Sequence, residues 1–197
     1  MTETQEQEKP QFSPAGRGEI LAWASYDIAN SSYATVVATA VYNAYFVKVV
    51  AGNIVGRGPS FGTVLLTTMI MVSSIIIVLS APVIGTICDA TASKKRFLFI
   101  TTFVCIFATA ALYFVNPGDY LKGMILMIIA TSAFGTGEDL IAAFLPELAH
   151  KNDMGRISSI GWAAGYVGGL FTLASCLAFI SYEQHLGLKA PQFVPIT

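Results

Sequence analysis

The chain has 197 residues, of which 54% are hydrophobic and 12% are charged, and its mean hydropathy is +0.64. Soluble domains carry about 25% charged residues, so this composition excludes an ordinary soluble domain. The formal net charge of −1 leaves no basic face for binding nucleic acid. We therefore expect an all-α integral membrane protein whose partners include the lipid bilayer and exclude nucleic acid.

The chain begins with a polar segment, residues 1–19, which predicts a disordered cytoplasmic tail. This segment is acidic and rich in glutamine and has no apolar core, so it does not resemble a signal peptide. About five apolar stretches follow, each long enough to cross roughly 30 Å of hydrocarbon. Residues 20–181 are predicted to form one helix bundle, and residues 182–197 a tail or the start of a sixth helix. The predicted spans are residues 22–46, 62–84, 97–115, 123–145 and 157–181.

Polar and Gly/Pro-bearing stretches separate these spans. A link at residues 51–60 follows the first span, and the charged loop Gly85–Arg96 follows the second. The sequence Asn116–Asp119 predicts a turn after the third span. We expect residues 135–139 to interrupt the fourth span, because Gly135 and Gly137 loosen that turn. The alternative is that these two glycines are close-packing positions.

The distribution of basic residues predicts the orientation of the helices. The predicted tail and the loops after spans two and four contain Lys9, Arg17, Lys94, Lys95, Arg96, Lys151 and Arg156. The opposite side contains Lys48, Arg57, Lys122 and Lys189. This excess predicts a cytoplasmic N-terminus.

Three carboxyl groups fall within the predicted spans, where charge is costly unless it faces protein or water. Asp27 shares a helical face with Asn30 and Ser31. Counted at about 1.5 Å per residue, Asp27 lies roughly 8 Å from the cytoplasmic end of its span, and Glu138 and Asp139 roughly 10 Å from the same side. The similar depth of the three carboxyls predicts a polar cavity that binds a solute or a proton. Glu138 and Asp139 are adjacent, so one of the two is expected to face this cavity. The alternative is that these carboxyls bond neighbouring helix ends or reach headgroup water.

The fifth span carries a face of small residues, Gly161, Gly165, Gly168 and Gly169, which predicts close packing against another helix. We find no Ser-His-Asp set, phosphate-binding loop or zinc pattern, and therefore expect no metal, no cofactor and no enzymatic activity. A membrane-embedded lipid enzyme using Asp89 and the nearby lysines would lack the second acidic cluster that metal-assisted phosphoryl transfer needs.

The loop GTICDATASKKR resembles the loop between helices two and three of major facilitator transporters. Ala92 stands where glycine is usual in that motif. By this resemblance, the matching residues would form a conformational gate; they are Gly85, Asp89, Lys94, Lys95 and Arg96.

Three further segments are similar to the vacuole-effluxer-like family, which includes autophagy-related vacuolar amino-acid exporters and prokaryotic relatives. They are Trp23–Val37 (WASYDIANSSYATVV), Ala143–Glu147 and Ile160–Leu170. The resemblance covers Ile20–Phe179. It implies a secondary active transporter of a small solute, with amino acids as the suggested class, alternating access, and helices one and four at the central cavity. Coupling to protons would use Asp27 or the pair Glu138 and Asp139.

Such transporters have twelve spans in two halves of six. We therefore expect this chain to be part of an N-terminal half, completed by missing C-terminal helices or a partner chain. The alternative is a non-transporting membrane scaffold that binds a partner through its glycine face. A prokaryotic plasma membrane fits the short loops better than a vacuolar membrane does.

Overall fold

The computed structural model describes residues 16–52, 60–149 and 152–185, and these residues form helices joined by short turns. Five helices are long and apolar enough to cross a membrane, which confirms the predicted fold class. The five helices are α1 (Arg17–Val50), α2 (Phe61–Thr91), α3 (Lys94–Phe114), α4 (Tyr120–Leu148) and α5 (Met154–His185). The membrane-length portion of α5 is Met154–Phe179.

The first helix changes its hydrogen-bonding pattern along its length, which the sequence did not predict. The side chain of Thr39 donates to the carbonyl of Ala34 at 2.7 Å, and that of Asn43 donates to the carbonyl of Ala38 at 2.5 Å. Both side chains reach back five residues, and the backbone N–H of Val41 does the same in bonding to the Val36 carbonyl, which is the pattern of a π-helix. α1 is α-helical over Arg17–Ser32 and Val41–Tyr45 and π-helical over Tyr33–Ala40 and Phe46–Val50.

The outer ends of the bundle differ from the predicted boundaries. α1 begins at Arg17, inside the predicted 1–19 tail, because the Glu19 carboxylate caps the first turn by accepting a bond from the Gly16 N–H at 3.0 Å. α5 continues to His185, inside the predicted 182–197 tail. The predictions for residues 1–15 and 186–197 lie outside the described residues.

The prediction of a loop over Gly85–Arg96 is wrong in extent. α2 continues through Pro82 to Thr91 and α3 begins at Lys94. Only Ala92 and Ser93 lie between the helices. Ala92 has a φ of 48° in the left-handed region, which ends α2 abruptly. The charged residues of this motif therefore belong to two helix ends.

The predicted interruption of the fourth span is also wrong, because Tyr120–Ala142 is one continuous α-helix. Its glycines serve close packing, with Gly135 against Ile77 of α2 and Gly137 against the hydroxyl of Tyr26. The turn comes later, at Ala143 and Phe144, just before the single helical turn Leu145–Leu148. Pro146, which lacks an N–H, lies in that last turn.

Two packing relations organise the bundle. The N-terminal half of α1 packs along α5, while α4 packs between α2 and α3. The C-terminal end of α1 joins the two groups, since Phe46 and Val50 are fully buried against residues such as Met69 and Met127. Many large apolar side chains point outwards, among them Val78 at 70% exposure, as expected of a surface that faces lipid.

Candidate functional site

A cavity of about 360 Å³ lies between α1, α4 and α5. Two carboxyl side chains, Asp27 and Glu138, line it. Hydroxyl groups of Ser31, Thr35 and Ser158 also line it, as do aromatic rings on all three helices. The cavity therefore combines acidic, hydrogen-bonding and aromatic groups in one space.

The glycine face of α5 creates the room for Asp27. A Cβ added at Gly165 would lie 2.7 Å from Asp27 Oδ2 and 2.6 Å from Ser31 Oγ. Asp27, Ser31 and Thr35 are four residues apart on α1 and share this side of the helix. Only a glycine on the facing helix lets the carboxyl and the hydroxyl occupy this position.

Glu138 is held by a partner from α1. The Asn30 side-chain amide donates a hydrogen bond to Glu138 Oε1. Close by, the indole N–H of Trp23 donates to the Ile141 carbonyl at 2.9 Å. These two bonds tie α1 to α4 on the cavity wall, and so fix the position of one carboxyl.

Asp139 lies in a different space from its neighbour. It lines a pocket of about 100 Å³ together with Gly85, Cys88, Asp89 and Lys94. Adjacent residues on a helix point about 100° apart, which accounts for the separation. The structure thus brings Asp27, Asn30, Ser31 and Glu138 together, and it places Asp139 beside the α2–α3 junction.

Lys94 is the centre of the charged cluster at that junction. Its Nζ lies 2.8 Å from Glu147 Oε1 and 3.4 Å from Asp89 Oδ1, and it donates to the Ala143 carbonyl at 3.4 Å. The Lys94 side chain is 21% exposed, whereas that of Asp89 is 72% exposed. One ammonium group thus links the ends of α2, α3 and α4.

The other residues of the predicted gate do not join this link. Lys95 and Arg96 are exposed, and a Cβ added at Gly85 would meet open space. Glu147 was not predicted as part of the cluster. Its place in the Ala143–Glu147 segment, which follows the fourth span, was the available signal.

The four predicted packing glycines all face α1. Gly161 meets the ring of Trp23, Gly168 meets Ile28, and Gly169 meets Thr35, while Gly165 meets Asp27. The idea that this face binds a separate partner is contradicted, because α1 of the same chain already fills it.

The sequence matches the Major Facilitator Superfamily over residues 3–173. The chain belongs to this superfamily. A relative in Bacillus subtilis (strain 168), named "Uncharacterized MFS-type transporter YxiO", is 28% identical over 163 residues. That alignment covers 83% of this chain and 38% of the relative, so the chain spans about two-fifths of the relative's length. No solved structure gives a significant match.

The match shows the Major Facilitator Superfamily, and it does not reach the vacuole-effluxer-like branch. Among the described residues, no group of three or more His, Cys, Asp and Glu side chains is placed to hold a metal ion.

Sequence reasoning missed the aromatic part of the cavity. Trp23 entered the prediction only as the start of the segment Trp23–Val37, yet Trp23 lines the cavity and bonds to α4. Trp162 and Tyr166 also line it, with ring centroids 6.0 Å apart. Their spacing of one helical turn around Gly165 was the signal that could have placed them on the face towards Asp27.

Proposed function

We propose that this chain forms part of a secondary active transporter that moves a small solute by alternating access. The observation that carries the proposal is the cavity that holds Asp27 and Glu138 between α1, α4 and α5. Membership of the Major Facilitator Superfamily supports the same function. Charged groups inside a membrane bundle most often mark a substrate, ion or proton pathway.

Proton coupling is assigned to Asp27 and Glu138 in this proposal. Both carboxyls line the same cavity, so a proton bound at either one changes the charge that a solute meets there. Asp139 is left out of this role, because it lies in the pocket beside Asp89 and Lys94. We assign Asp139 and Lys94 instead to the gate, which would open as the ends of α2, α3 and α4 move apart and close as they come together.

The solute class, the orientation of the helices and the type of membrane also belong to this proposal. Amino acids are the solute class that the vacuole-effluxer-like resemblance of Trp23–Val37 suggests. The excess of basic residues on one side supports a cytoplasmic N-terminus. The similarity to a Bacillus protein favours a prokaryotic plasma membrane over a vacuolar membrane.

We propose further that the other walls of the pathway come from helices outside these 197 residues, in the same polypeptide or in a partner chain. Trp162 and Tyr166 support this, because both line the cavity while being 62% and 67% exposed. Aromatic rings placed between a polar cavity and the outside of the bundle are suited to contact a facing set of helices.

The test is transport by the longest product of the native gene, reconstituted in liposomes with a pH-sensitive dye inside. A panel of amino acids is added outside under an imposed pH gradient. Wild-type protein is expected to move protons when its solute is present. Asp27→Asn and Glu138→Gln should each lose at least about ten-fold in rate, which corresponds to about 1.4 kcal/mol.

The matched control is Asp153→Asn, which removes an exposed carboxyl outside the cavity. This variant should transport as the wild type does. If Asp27→Asn and Glu138→Gln also transport at the wild-type rate, the cavity is not the pathway. If solute moves without protons, proton coupling is refuted while transport stands.

A further inference from the structure

We propose that the cavity wall formed by α1, α4 and α5 binds the positively charged nitrogen of its solute, which makes organic amines and quaternary ammonium compounds the preferred class. This inference rests on the proposed function and narrows it. It is carried by the charge, the ring content and the size of the cavity.

The charge of the lining is one-sided. Asp27 and Glu138 contribute two carboxyl groups, and among the described residues no lysine, arginine or histidine lines this cavity. Lys94 and Lys95 line other pockets, two at the α2–α3 junction and one between α1, α3 and α4. An anion here would therefore meet two acidic groups without a basic partner from the described wall, whereas a cation would be attracted.

The rings supply a second feature that favours a cation. Trp23, Trp162 and Tyr166 line the cavity together with the carboxyls. Indole and phenol faces attract ammonium groups, and clustered rings are a common site for quaternary ammonium ligands. The Trp23 N–H is already engaged by the Ile141 carbonyl, so this ring offers the solute its aromatic surface rather than a hydrogen bond.

The size and the remaining lining suit a small organic cation. A volume of about 360 Å³ lies within the roughly 300–1,000 Å³ of small-molecule sites. Ala34, Ile141 and Leu145 add apolar contacts for methyl or methylene groups. An amino acid would place its ammonium group on this wall, and its carboxylate would require a partner outside the wall.

The chain contains two tryptophans, Trp23 and Trp162, and both line this cavity. In the longest product of the native gene, any tryptophan outside these 197 residues is replaced by phenylalanine, so that the fluorescence of Trp23 and Trp162 reports occupancy without any need for transport. The protein is studied in an uncharged detergent, so that the micelle does not concentrate cations. The probes are choline and its neutral isostere 3,3-dimethylbutan-1-ol, which match in shape and differ in charge.

We expect choline to change the tryptophan fluorescence saturably, with an affinity at least about ten-fold higher than that of the neutral alcohol. Asp27→Asn and Glu138→Gln should each weaken choline binding by about ten-fold. Asp27→Glu, which keeps the charge, should retain more affinity than Asp27→Asn. Asp153→Asn should bind choline as the wild type does.

Equal binding of choline and the alcohol by the wild type would overturn the inference, and this comparison needs no variant. Unchanged choline binding in Asp27→Asn and Glu138→Gln would overturn it as well. Transport of only those solutes that lack a positively charged nitrogen would refute the cation preference and leave the transporter proposal standing. Choline binding by a protein that transports nothing would refute the transporter proposal instead.

Discussion

The contact between α1 and α5 predicts a graded effect of adding one methyl group along the glycine face. A Cβ at Gly168 would lie 2.5 Å from Ile28 Cγ2, 2.9 Å from the Ile28 carbonyl oxygen and 3.1 Å from its Cα. Two of these atoms are backbone and cannot move without displacing α1. At Gly165 the nearest atoms are instead the ends of the Ser31 and Asp27 side chains, at 2.6 and 2.7 Å. These side chains can rotate away.

The expected magnitudes follow from two opposing effects. Overpacking costs about 1–3 kcal/mol, and replacing glycine by alanine inside a helix gains about 1 kcal/mol. Gly168→Ala should therefore lower the free energy of unfolding by about 2 kcal/mol, and Gly165→Ala by less than about 1 kcal/mol. Gly155→Ala is the control, because a Cβ there meets nothing within 4 Å. It should raise stability by up to about 1 kcal/mol.

The assay is reversible unfolding by sodium dodecyl sulfate in mixed micelles, followed by far-ultraviolet circular dichroism. From the most to the least stable, the order should be Gly155→Ala, wild type, Gly165→Ala and Gly168→Ala. A Gly168→Ala protein as stable as Gly155→Ala would refute the reasoning, because it would mean that α1 does not approach α5 at Ile28. Gly165→Ala has a second expected effect, because it displaces the Asp27 carboxyl. Its transport rate should fall by more than its small loss of stability explains.

Two further predictions concern the turns. Ala92→Gly should raise the free energy of unfolding by about 1 kcal/mol. A non-glycine residue at a φ of 48° carries about 1–3 kcal/mol of strain, and the greater entropy of glycine in the unfolded chain offsets only part of the gain from relieving it. A lower free energy of unfolding for Ala92→Gly in the same assay would contradict this prediction. The hydrogen bond from Lys122 holds the pKa of Asp119 below its ordinary value of 3.8, so the stability that this pair provides is present above that value and is lost as the pH falls through the lowered pKa. Carboxyl carbon-13 NMR should show the Asp119 pKa rising towards 3.8 in Lys122→Met, and an unchanged pKa would show that the bond is absent in solution.

The number and order of the helices could be predicted from the sequence, because five apolar runs separated by polar turns admit few other interpretations. The position of the Asn116–Asp119 turn was also predicted, and the structure confirms it with a bond from the Asp119 N–H to the Asn116 carbonyl at 3.0 Å and a φ of 94° at Gly118. Local chemistry determines such features, and local chemistry can be read along the chain.

The errors arose where packing overrides local preference. Gly135 and Gly137 have low helix propensity, yet α4 stays continuous because Ile77 and Tyr26 occupy the space that their missing side chains leave. Thr86, Asp89 and Thr91 are polar, yet α2 continues for six residues past Gly85 to Thr91. No rule on composition shows which neighbour will fill such a gap.

Only part of the candidate site could be predicted, because the rest of it depends on how the helices pack. Helical periodicity placed Asp27, Asn30 and Ser31 on one side of α1, and counted depth matched them with Glu138. Which of Glu138 and Asp139 faces them depends on the rotation of α4 about its axis, and only its packing against α1, α2 and α3 sets that rotation. Trp162 and Tyr166 were missed because depth and charge, the signals used, do not identify aromatic residues.

The side-by-side placement of Glu138 and Asp139 has a mechanical consequence. One residue lines the cavity of Asp27 and the next lines the pocket of Asp89 and Lys94, and both belong to a continuous helix. A turn of α4 about its own axis would therefore move both carboxyls in the same rotational sense and carry each away from the space that it lines. Because α4 is continuous here, such a rotation cannot change the shape of one space and leave the other unchanged.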